Sequence, residues 1–447
     1  MRDYIVLAIV FLSVPLAVLS PYYGLLVWSW LAYFNPHRYG WGIARDFPVA
    51  LVIAIPTIVG MLFAKKNKHT VTRESSLLLL LWAWFAFTTI YISYVPVFAG
   101  HVVDAQFHLR EISKILLMTI ATILLVTNRD KLHIMVMVIA GSFGFRALIA
   151  AIFFIQTAGQ YRIWGPDGTF IADNNDFGLA LNMSIPLLFF LAQDEPRKWI
   201  RVCLRVLTVG TIISVIGTYS RGGALGLAVV IGALLMKSRH KVLSVFVVAA
   251  GLFLVVGMSS NEWKGRMDDF MHGKMDQSAE SRLATWHGGW RLALDYPLTG
   301  GGFDAYPDGN LMVRYIPGSR LDTAFKGPHS IYLQMLGEQG FVGLGLFLAL
   351  LISCFAALRK IRRAARRYDA LKWAVPYTQM FEVSLLAYTV SGATLGRAYF
   401  DFMYQIIACV IVLKILFERE YHMLGTEDAS GTPEVYEESV LAGAAIA

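Results

Sequence analysis

Residues 132–156 read LHIMVMVIAGSFGFRALIAAIFFIQ. The run holds one arginine, Arg146, and no lysine, aspartate or glutamate. It exceeds the roughly 20 apolar residues a helix needs to cross a bilayer. A crossing segment in lipid must satisfy its own backbone hydrogen bonds, so such a run reads as a transmembrane helix. Comparable apolar stretches lie at 4–20, 22–34, 47–64, 75–98, 111–127, 177–193, 202–218, 222–236, 242–258, 341–358, 375–395 and 399–417. The first two meet at Pro21-Tyr22-Tyr23-Gly24 and read either as one broken crossing or as a hairpin. The predicted fold class is therefore an all-α polytopic membrane protein with about twelve transmembrane helices.

Composition supports this. Charged residues make up 16% and hydrophobic residues 56% of the 447, against roughly 25% charge in a soluble domain. The net charge of +8 does not indicate nucleic acid, because the basic residues sit in short connections where membrane orientation explains them. The start, MRDYIVLAIVFLSVPLAVLS, carries no convincing cleavage site and reads as a retained first helix. Cys203, Cys354 and Cys409 lie in or beside apolar segments, form no metal or redox spacing and read as packing residues.

Lysine and arginine collect on alternate connections: Lys65 to Arg73, Arg129 and Lys131, Arg197 to Arg205, Lys237 to Lys241, and Arg359 to Arg367. The positive-inside rule assigns that side to the cytoplasm, together with the C-terminus. The expected organisation is N-terminal transmembrane helices over 1–258, an outer loop domain with short helices over 259–340, C-terminal transmembrane helices over 341–417, and a disordered cytoplasmic tail over 418–447. Within the loop domain, SRLATWHGGWRLAL reads as a helix, and His329 to Glu338 as a further short helix that Gly340 ends.

The outer side then carries cations that orientation does not require: Arg110, Lys114, Arg146, Arg162, Arg221, Arg282, Arg291, Arg314, Arg320 and Arg397. Arg221 stands in Thr218-Tyr219-Ser220-Arg221-Gly222-Gly223. An arginine at the membrane border snorkels or meets an anion, and glycines beside it allow backbone N–H groups to approach the same anion at a helix start. Arg146 is an intramembrane charge, read as functional or as one half of an ion pair with Asp104, Asp173 or Asp401. His329 follows Gly327-Pro328 at a helix start, where the positive helix end favours the neutral ring that a general base needs; a helix-cap histidine is the other reading. Asp173-Asn174-Asn175-Asp176 reads as an N-cap with sugar-facing amides or as oxygen ligands for a divalent cation. Arg397 and Asp401 read as an i, i+4 pair or as walls of one cavity. Without an Asp-x-Asp or Cys/His ligand set, charge neutralisation falls to the arginines, and neither metal nor cofactor is expected.

These stretches resemble the O-antigen ligase and polymerase superfamily. Tyr219-Ser220-Arg221-Gly222-Gly223 with Gly232 is similar to its arginine motif, Arg282 to Gly302 to its loop signature, and His329-Ser330 with Leu333, Glu338 and Gly340 to its histidine motif. SPYYGLLVWSWLAYFNPHRYGWG, residues 20–42, is similar to the O-glycosylation ligases associated with exosortase systems. The resemblance implies a GT-C-type glycosyltransferase of the bacterial inner membrane, working at its periplasmic face. It implies an undecaprenyl-pyrophosphate-linked glycan donor and a lipid A–core acceptor, among membrane lipids. His329 would be the base. Arg221 and Arg282 would hold the pyrophosphate, with Arg146 and Arg110 as further pyrophosphate contacts. Asp173, Asn174, Lys114, Arg397 and Asp401 would face substrate or support those that do. An O-antigen polymerase and a protein O-oligosaccharyltransferase share this donor. A transporter is the reading from another class, and a polar set gathered at one face, under a large loop, disfavours it.

Overall fold

The computed structural model describes residues 2–63, 70–237, 277–316, 318 and 327–429. All regular structure among them is helical: α1 (Arg2–Leu19), α2 (Pro21–Phe34), α3 (Val49–Phe63), α4 (Arg73–Ile92), α5 (Val102–Leu125), α6 (Arg129–Gln156), α7 (Asn174–Asp194), α8 (Lys198–Gly217), α9 (Arg221–Lys237), α10 (Gln277–Asp295), α11 (Ile331–Ala365), α12 (Ala374–Ser391) and α13 (Asp401–Ala429), with short 3₁₀ and single-turn pieces between. Among the described residues α1, α4, α6, α7, α8 and α11 are both long and apolar enough to cross a membrane, six against the twelve or so expected. The chain is a multi-pass membrane protein. The apolar run at 242–258, Arg320 and the basic clusters at 65–68 and 238–241 lie outside the described residues. The last helix runs past its apolar stretch to Ala429, so residues 418–429, expected to begin a disordered tail, are helical.

The first two helices form an antiparallel hairpin. Gly24 of α2 sits against Ala17 of α1 so closely that a Cβ there would lie 2.8 Å from the alanine's, and Val10, Leu31, Val49 and Ile53 form a small core with α3. At 14 residues α2 rises only ~21 Å. It starts level with the beginning of α6, where Tyr22 donates to the Lys131 carbonyl at 2.8 Å. It ends beside the third turn before α6 finishes, with Phe34 against Phe145 at 5.6 Å between rings. The elbow that follows, residues 35–48, is pinned by Asp3, whose Oδ1 accepts from the Gly42 and Ala44 amides.

Contacts draw the basic connections to one end of the bundle. Arg129 pairs with Glu420 and lies over Trp373, His133 meets Tyr377 at 2.9 Å, and Arg362 pairs with Glu382. Just inside that end Glu74 accepts from Lys414 at 2.7 Å and from Ser353 at 2.8 Å. Cys354 and Cys409 are buried in the packing, while Cys203 is exposed on α8.

At the opposite end α11 is broken. Gly340 has φ 67° and ψ −173°, outside the helical region, as its place in the sequence anticipates. A break in lipid frees backbone groups that need partners. The turn 297–302 supplies them. The Gly301 and Gly302 amides donate to the Gly337 and Glu338 carbonyls, both at 2.8 Å, and the Phe341 amide donates to the Pro297 carbonyl at 2.8 Å. Trp84 Nε1 takes the Gln339 carbonyl at 3.0 Å. A Cβ on Gly340 would lie 2.2 Å from the Leu298 carbonyl oxygen, whereas one on Gly345, a turn further on, would meet nothing within 4 Å.

Gly340→Ala should therefore destabilise the protein by at least roughly 1–3 kcal/mol from the disfavoured backbone alone. Gly345→Ala should be neutral or stabilising by up to about 1 kcal/mol through helix propensity. Thermal unfolding of both variants in one detergent checks the opposite signs.

Candidate functional site

Four chain segments meet at the end of the bundle opposite the basic connections. The first is the start of α7. Asp173 caps it, accepting from the Asn175 amide at 2.8 Å, which is the N-cap expected for that acid-amide stretch. The amide of Asn174 does not face outward. Its Nδ2 donates to the Thr218 carbonyl at 2.9 Å and is buried, so it serves the packing of α7 on the next segment.

That next segment is the turn from α8 into α9. Tyr219 takes the left-handed conformation, φ 51°, and reverses the chain within one residue. Ser220 is the cap of α9, accepting from the Gly223 amide at 3.0 Å and donating to Asn175 Oδ1 at 2.7 Å. Arg221 is then the first helical residue and is exposed. A cation gains nothing from the positive end of a helix, whereas an anion does. The glycines after it serve a different purpose from the one expected. Gly222 lies against Thr394, where a Cβ would come within 2.5 Å of the hydroxyl, and Gly226 lies against Ser391. They let α9 approach α12, as small residues do between membrane helices.

The third segment is the loop 395–400 between α12 and α13. Arg397 forms an ion pair with Asp176. Burial works against the charge on Arg397, but Asp176, Asp173 and Asp401 outweigh it and hold the guanidinium above its ordinary range. The expected i, i+4 pair of Arg397 with Asp401 does not form. Arg397 lies before the helix begins, so helical spacing does not apply to it, and Asp401 opens α13 and accepts from the Phe402 amide. Asp176 was quoted in the sequence only as part of its acid-amide run; its partner lies 221 residues away.

The fourth segment carries His329. It lies two residues before α11 rather than within it, with φ 46°, a conformation uncommon for a residue with a Cβ. Its backbone rests on Gly396, next to Arg397, at 3.4 Å from the position a Cβ would take. It lies within electrostatic reach of Asp176. Gln334, one turn into α11, accepts from the Ala398 amide at 3.0 Å and ties the same loop from below. Arg282 joins through α10: Trp286, one turn on, donates to the Pro328 carbonyl at 2.5 Å, fixing that helix to the residue before His329.

Arg146, Arg110 and Lys114 lie elsewhere. Arg146 pairs with none of Asp104, Asp173 or Asp401; its guanidinium lies over the Tyr39 ring at 4.6 Å. Arg110 is exposed on α5 over Phe107, and Lys114 pairs with Glu111 one turn away. The start of α5 instead holds the turn after α10. His101 bridges Asp308 and the Gly301 carbonyl, both at 2.8 Å. His108 pairs with Asp304, which raises its pKa above the usual histidine range. Among the described residues no group of three or more His, Cys, Asp or Glu side chains is placed to hold a metal ion.

The fold and this arrangement define a many-helix membrane protein in which segments bearing arginine, histidine and aspartate gather at one end. Residues 206–348 match the family model described as O-antigen ligase, which supports the resemblance of this part of the chain to the O-antigen ligase and polymerase superfamily. Residues 1–195 match a family of unknown function, DUF5935. No curated protein matches the chain. The O-antigen ligase match spans Arg221, Arg282 and His329; Arg397 and Asp401 lie beyond both matches.

Arg397→Ala should leave the buried Asp176 carboxylate uncompensated. The expected loss is on the order of 1–3 kcal/mol, less than for a fully buried pair because Arg397 keeps part of its side chain in solvent. Asp176→Asn combined with Arg397→Gln should recover part of it, which a double-mutant cycle of melting curves measures.

Proposed function

We propose that this chain is an O-antigen ligase of GT-C type. It transfers a glycan from undecaprenyl pyrophosphate to a sugar hydroxyl of lipid A–core, at the periplasmic face of a bacterial inner membrane. The basic end of the bundle and the C-terminus are then cytoplasmic, and the run at 242–258 and the shorter helices complete about twelve crossings. The observation that supports the reading is that the segments carrying Arg221, His329 and the Arg397–Asp176 pair gather at one bundle end, with the helix of Arg282 fixed to Pro328.

The chemistry asks little of the protein. Pyrophosphate is a good leaving group, so positioning, charge stabilisation and one base suffice. The acceptor oxygen attacks the anomeric carbon as His329 takes its proton. The bond from that carbon to the phosphate oxygen breaks, and its electron pair leaves with undecaprenyl pyrophosphate. A single displacement inverts the anomeric centre. Arg221 and Arg282 meet the charge that grows on the leaving oxygen, in the bidentate geometry guanidinium offers phosphate. Arg397, held by Asp176, Asp173 and Asp401, positions the His329 loop through Gly396. No step calls for a metal.

Purified protein, lipid-linked glycan and lipid A–core should give transfer that survives chelator. His329→Ala should lower its rate by about 10²–10⁴, and Arg221→Ala by roughly 10²–10³, with both variants folded by melting curve. Full activity in His329→Ala would remove the base. A product ladder built on the lipid carrier without lipid A–core would assign a polymerase, and transfer only to protein would assign a protein ligase.

A further inference from the structure

Glu338 belongs to the stretch that begins at His329, yet the transfer step gives its side chain no task. It lies in the outer turns of α11, ahead of the break at Gly340 and of the crossing run at 341–358. The residue is 4% exposed. Its Oε2 is buried and meets no hydrogen-bond partner among the described residues. A carboxyl costs free energy in such a place, so its presence asks for a reason. The main chain does not supply one. The Glu338 carbonyl accepts from the Gly302 amide at 2.8 Å, which any residue at this position could do.

Side chains from several elements act on that carboxyl. Tyr399, of the loop 395–400, and Gln334, one turn earlier on α11, do so as hydrogen-bond donors. Asp304, of the turn after α10, and His108, of α5, do so as charges of opposite sign, and they pair with each other. Burial is the largest influence. Aided by Asp304, it outweighs Tyr399, His108 and Gln334 and lifts the carboxyl to a pKa of about 8. Near pH 7 the group is therefore mostly uncharged, an acid whose shape and accepting oxygen a glutamine can match.

Gln334 makes the arrangement directional. A side-chain amide has one accepting oxygen and one donating nitrogen. The oxygen of Gln334 accepts from the Ala398 amide at 3.0 Å, so the nitrogen is the end left for Glu338. Turned over, the amide would set a donor against the Ala398 N–H. An acceptor at position 338 thus decides which way Gln334 points. Ala398 follows Gly396 and Arg397. The place a Cβ on Gly396 would take lies 3.4 Å from the His329 amide nitrogen and 3.7 Å from Gln334 Oε1. The same loop has a second anchor in the Tyr388 hydroxyl, which donates to the Arg397 carbonyl at 2.9 Å. Tyr399 is held in its turn, edge-on to the Phe85 ring at 5.4 Å, with its hydroxyl accepting from Gln339 Nε2 at 3.3 Å.

We infer that Glu338 is a positioning residue: its carboxyl orients Gln334, Gln334 holds the Ala398 amide, and the loop 395–400 so fixed sets His329 for the acceptor hydroxyl. This rests on the base assigned above. The action of Glu338 passes through Gln334 and leaves the bonds that form and break to the groups already named. An acceptor oxygen is what the position requires, and a negative charge is not.

Glu338→Gln keeps an accepting oxygen at the same reach, whereas Glu338→Met keeps the length and removes it. The test uses the purified full chain with lipid-linked glycan and lipid A–core. Glu338→Met should lower kcat by about 10–10² and leave KM for the donor within about twofold, since a misplaced base weakens the transition state and not donor binding. Glu338→Gln should bring kcat back to within about threefold of the unaltered chain. Gln334→Met should show the loss of Glu338→Met, and the two combined should lose no more than the larger single loss, because both act through the Ala398 amide. Hydrogen exchange followed by mass spectrometry reads the same link without any transfer. Peptides over 396–400 should exchange roughly tenfold faster in Glu338→Met and Gln334→Met, and at the unaltered rate in Glu338→Gln. The Gly301 and Gly302 amides, which bond to main-chain carbonyls, should keep their protection in all three.

A Glu338→Gln variant as impaired as Glu338→Met overturns the inference, and so do single losses that multiply in the combined variant. Protection lost at 301–302 together with 396–400 overturns it in favour of a general prop for the joint. If Glu338→Met does not fold, Glu338→Gln and Gln334→Met decide by the same measures. An unaltered chain that transfers no glycan, with the exchange pattern as expected, would uphold the link from Glu338 through Gln334 to Ala398 and remove the ligase reading instead.

Discussion

At Gly340 the longest described helix stops being a helix, and three backbone hydrogen bonds from the turn 297–302, with Trp84 Nε1, take up what the break releases. Much at the site end depends on that exchange. It allows the first turns of α11, which carry Gln334 and follow His329, to leave the line of the membrane crossing without exposing unsatisfied carbonyls. It also fixes the turn itself, and through it α10 with Trp286 and Arg282. Tyr306 completes the joint: its ring packs against Gly289 of α10 and Gly337 of α11, and its hydroxyl donates to the Leu333 carbonyl. A side chain at either glycine would overlap that ring. The short glycine-rich run and the histidine-bearing segment are thus two halves of one joint, which explains why they need each other in the sequence.

The site is assembled from segments that no local rule connects. Asp173 to Asp176 begin one helix, Arg221 another, His329 precedes a third and Arg397 precedes a fourth. Three aspartates act on Arg397 and make its charge part of the framework. Arg221 stands differently. It opens a helix whose dipole repels it, and its capping serine is occupied with Gly223 and Asn175. The left-handed backbones of Tyr219 and His329 fit such a framework, since such conformations persist where surrounding contacts enforce them.

Much of this was legible from the sequence because the governing rule was one-dimensional. Apolar length marks membrane helices, and the described helices fall on the expected runs, including the helix around Trp286 and the break at Gly340. Charge on alternate connections likewise marked out the end where Arg129, Arg362 and Lys414 now lie. What failed was pairing. Arg397 was matched with Asp401 because four residues separate them, yet the loop 395–400 is not helical and the true partner is Asp176. Asn174 looked free to face a sugar, but its amide is consumed by Thr218. Arg110 and Lys114 counted as outer cations by position alone; their side chains make local contacts, with Phe107 and Glu111. Gly222 was read through backbone freedom, yet it also packs closely against Thr394. The misses at Arg397, Asn174 and Gly222 concern contacts across long sequence separation, which periodicity and charge cannot encode.

Arg146 shows how helix length settles what charge alone left open. Placed by sequence near the middle of a crossing, it called for a carboxylate or an anion. The hairpin of α1 and α2 is too short to follow α6 to its end, so the chain turns beside Arg146 and presents the ring of Tyr39 instead. A ring answers a guanidinium only in part, through the electrostatic attraction of its face. Among the described residues His37 Nδ1, Arg38 Nε and Tyr39 Oη of the elbow meet no hydrogen-bond partner. Phe34, one of the residues lining an apolar groove between α2 and α6, lies 5.6 Å from the Tyr39 ring, on the same side of the bundle as Arg146. The short second helix leaves this arrangement: a longer α2 would have covered Arg146 with apolar side chains, and burying the charge there would have required a carboxylate partner.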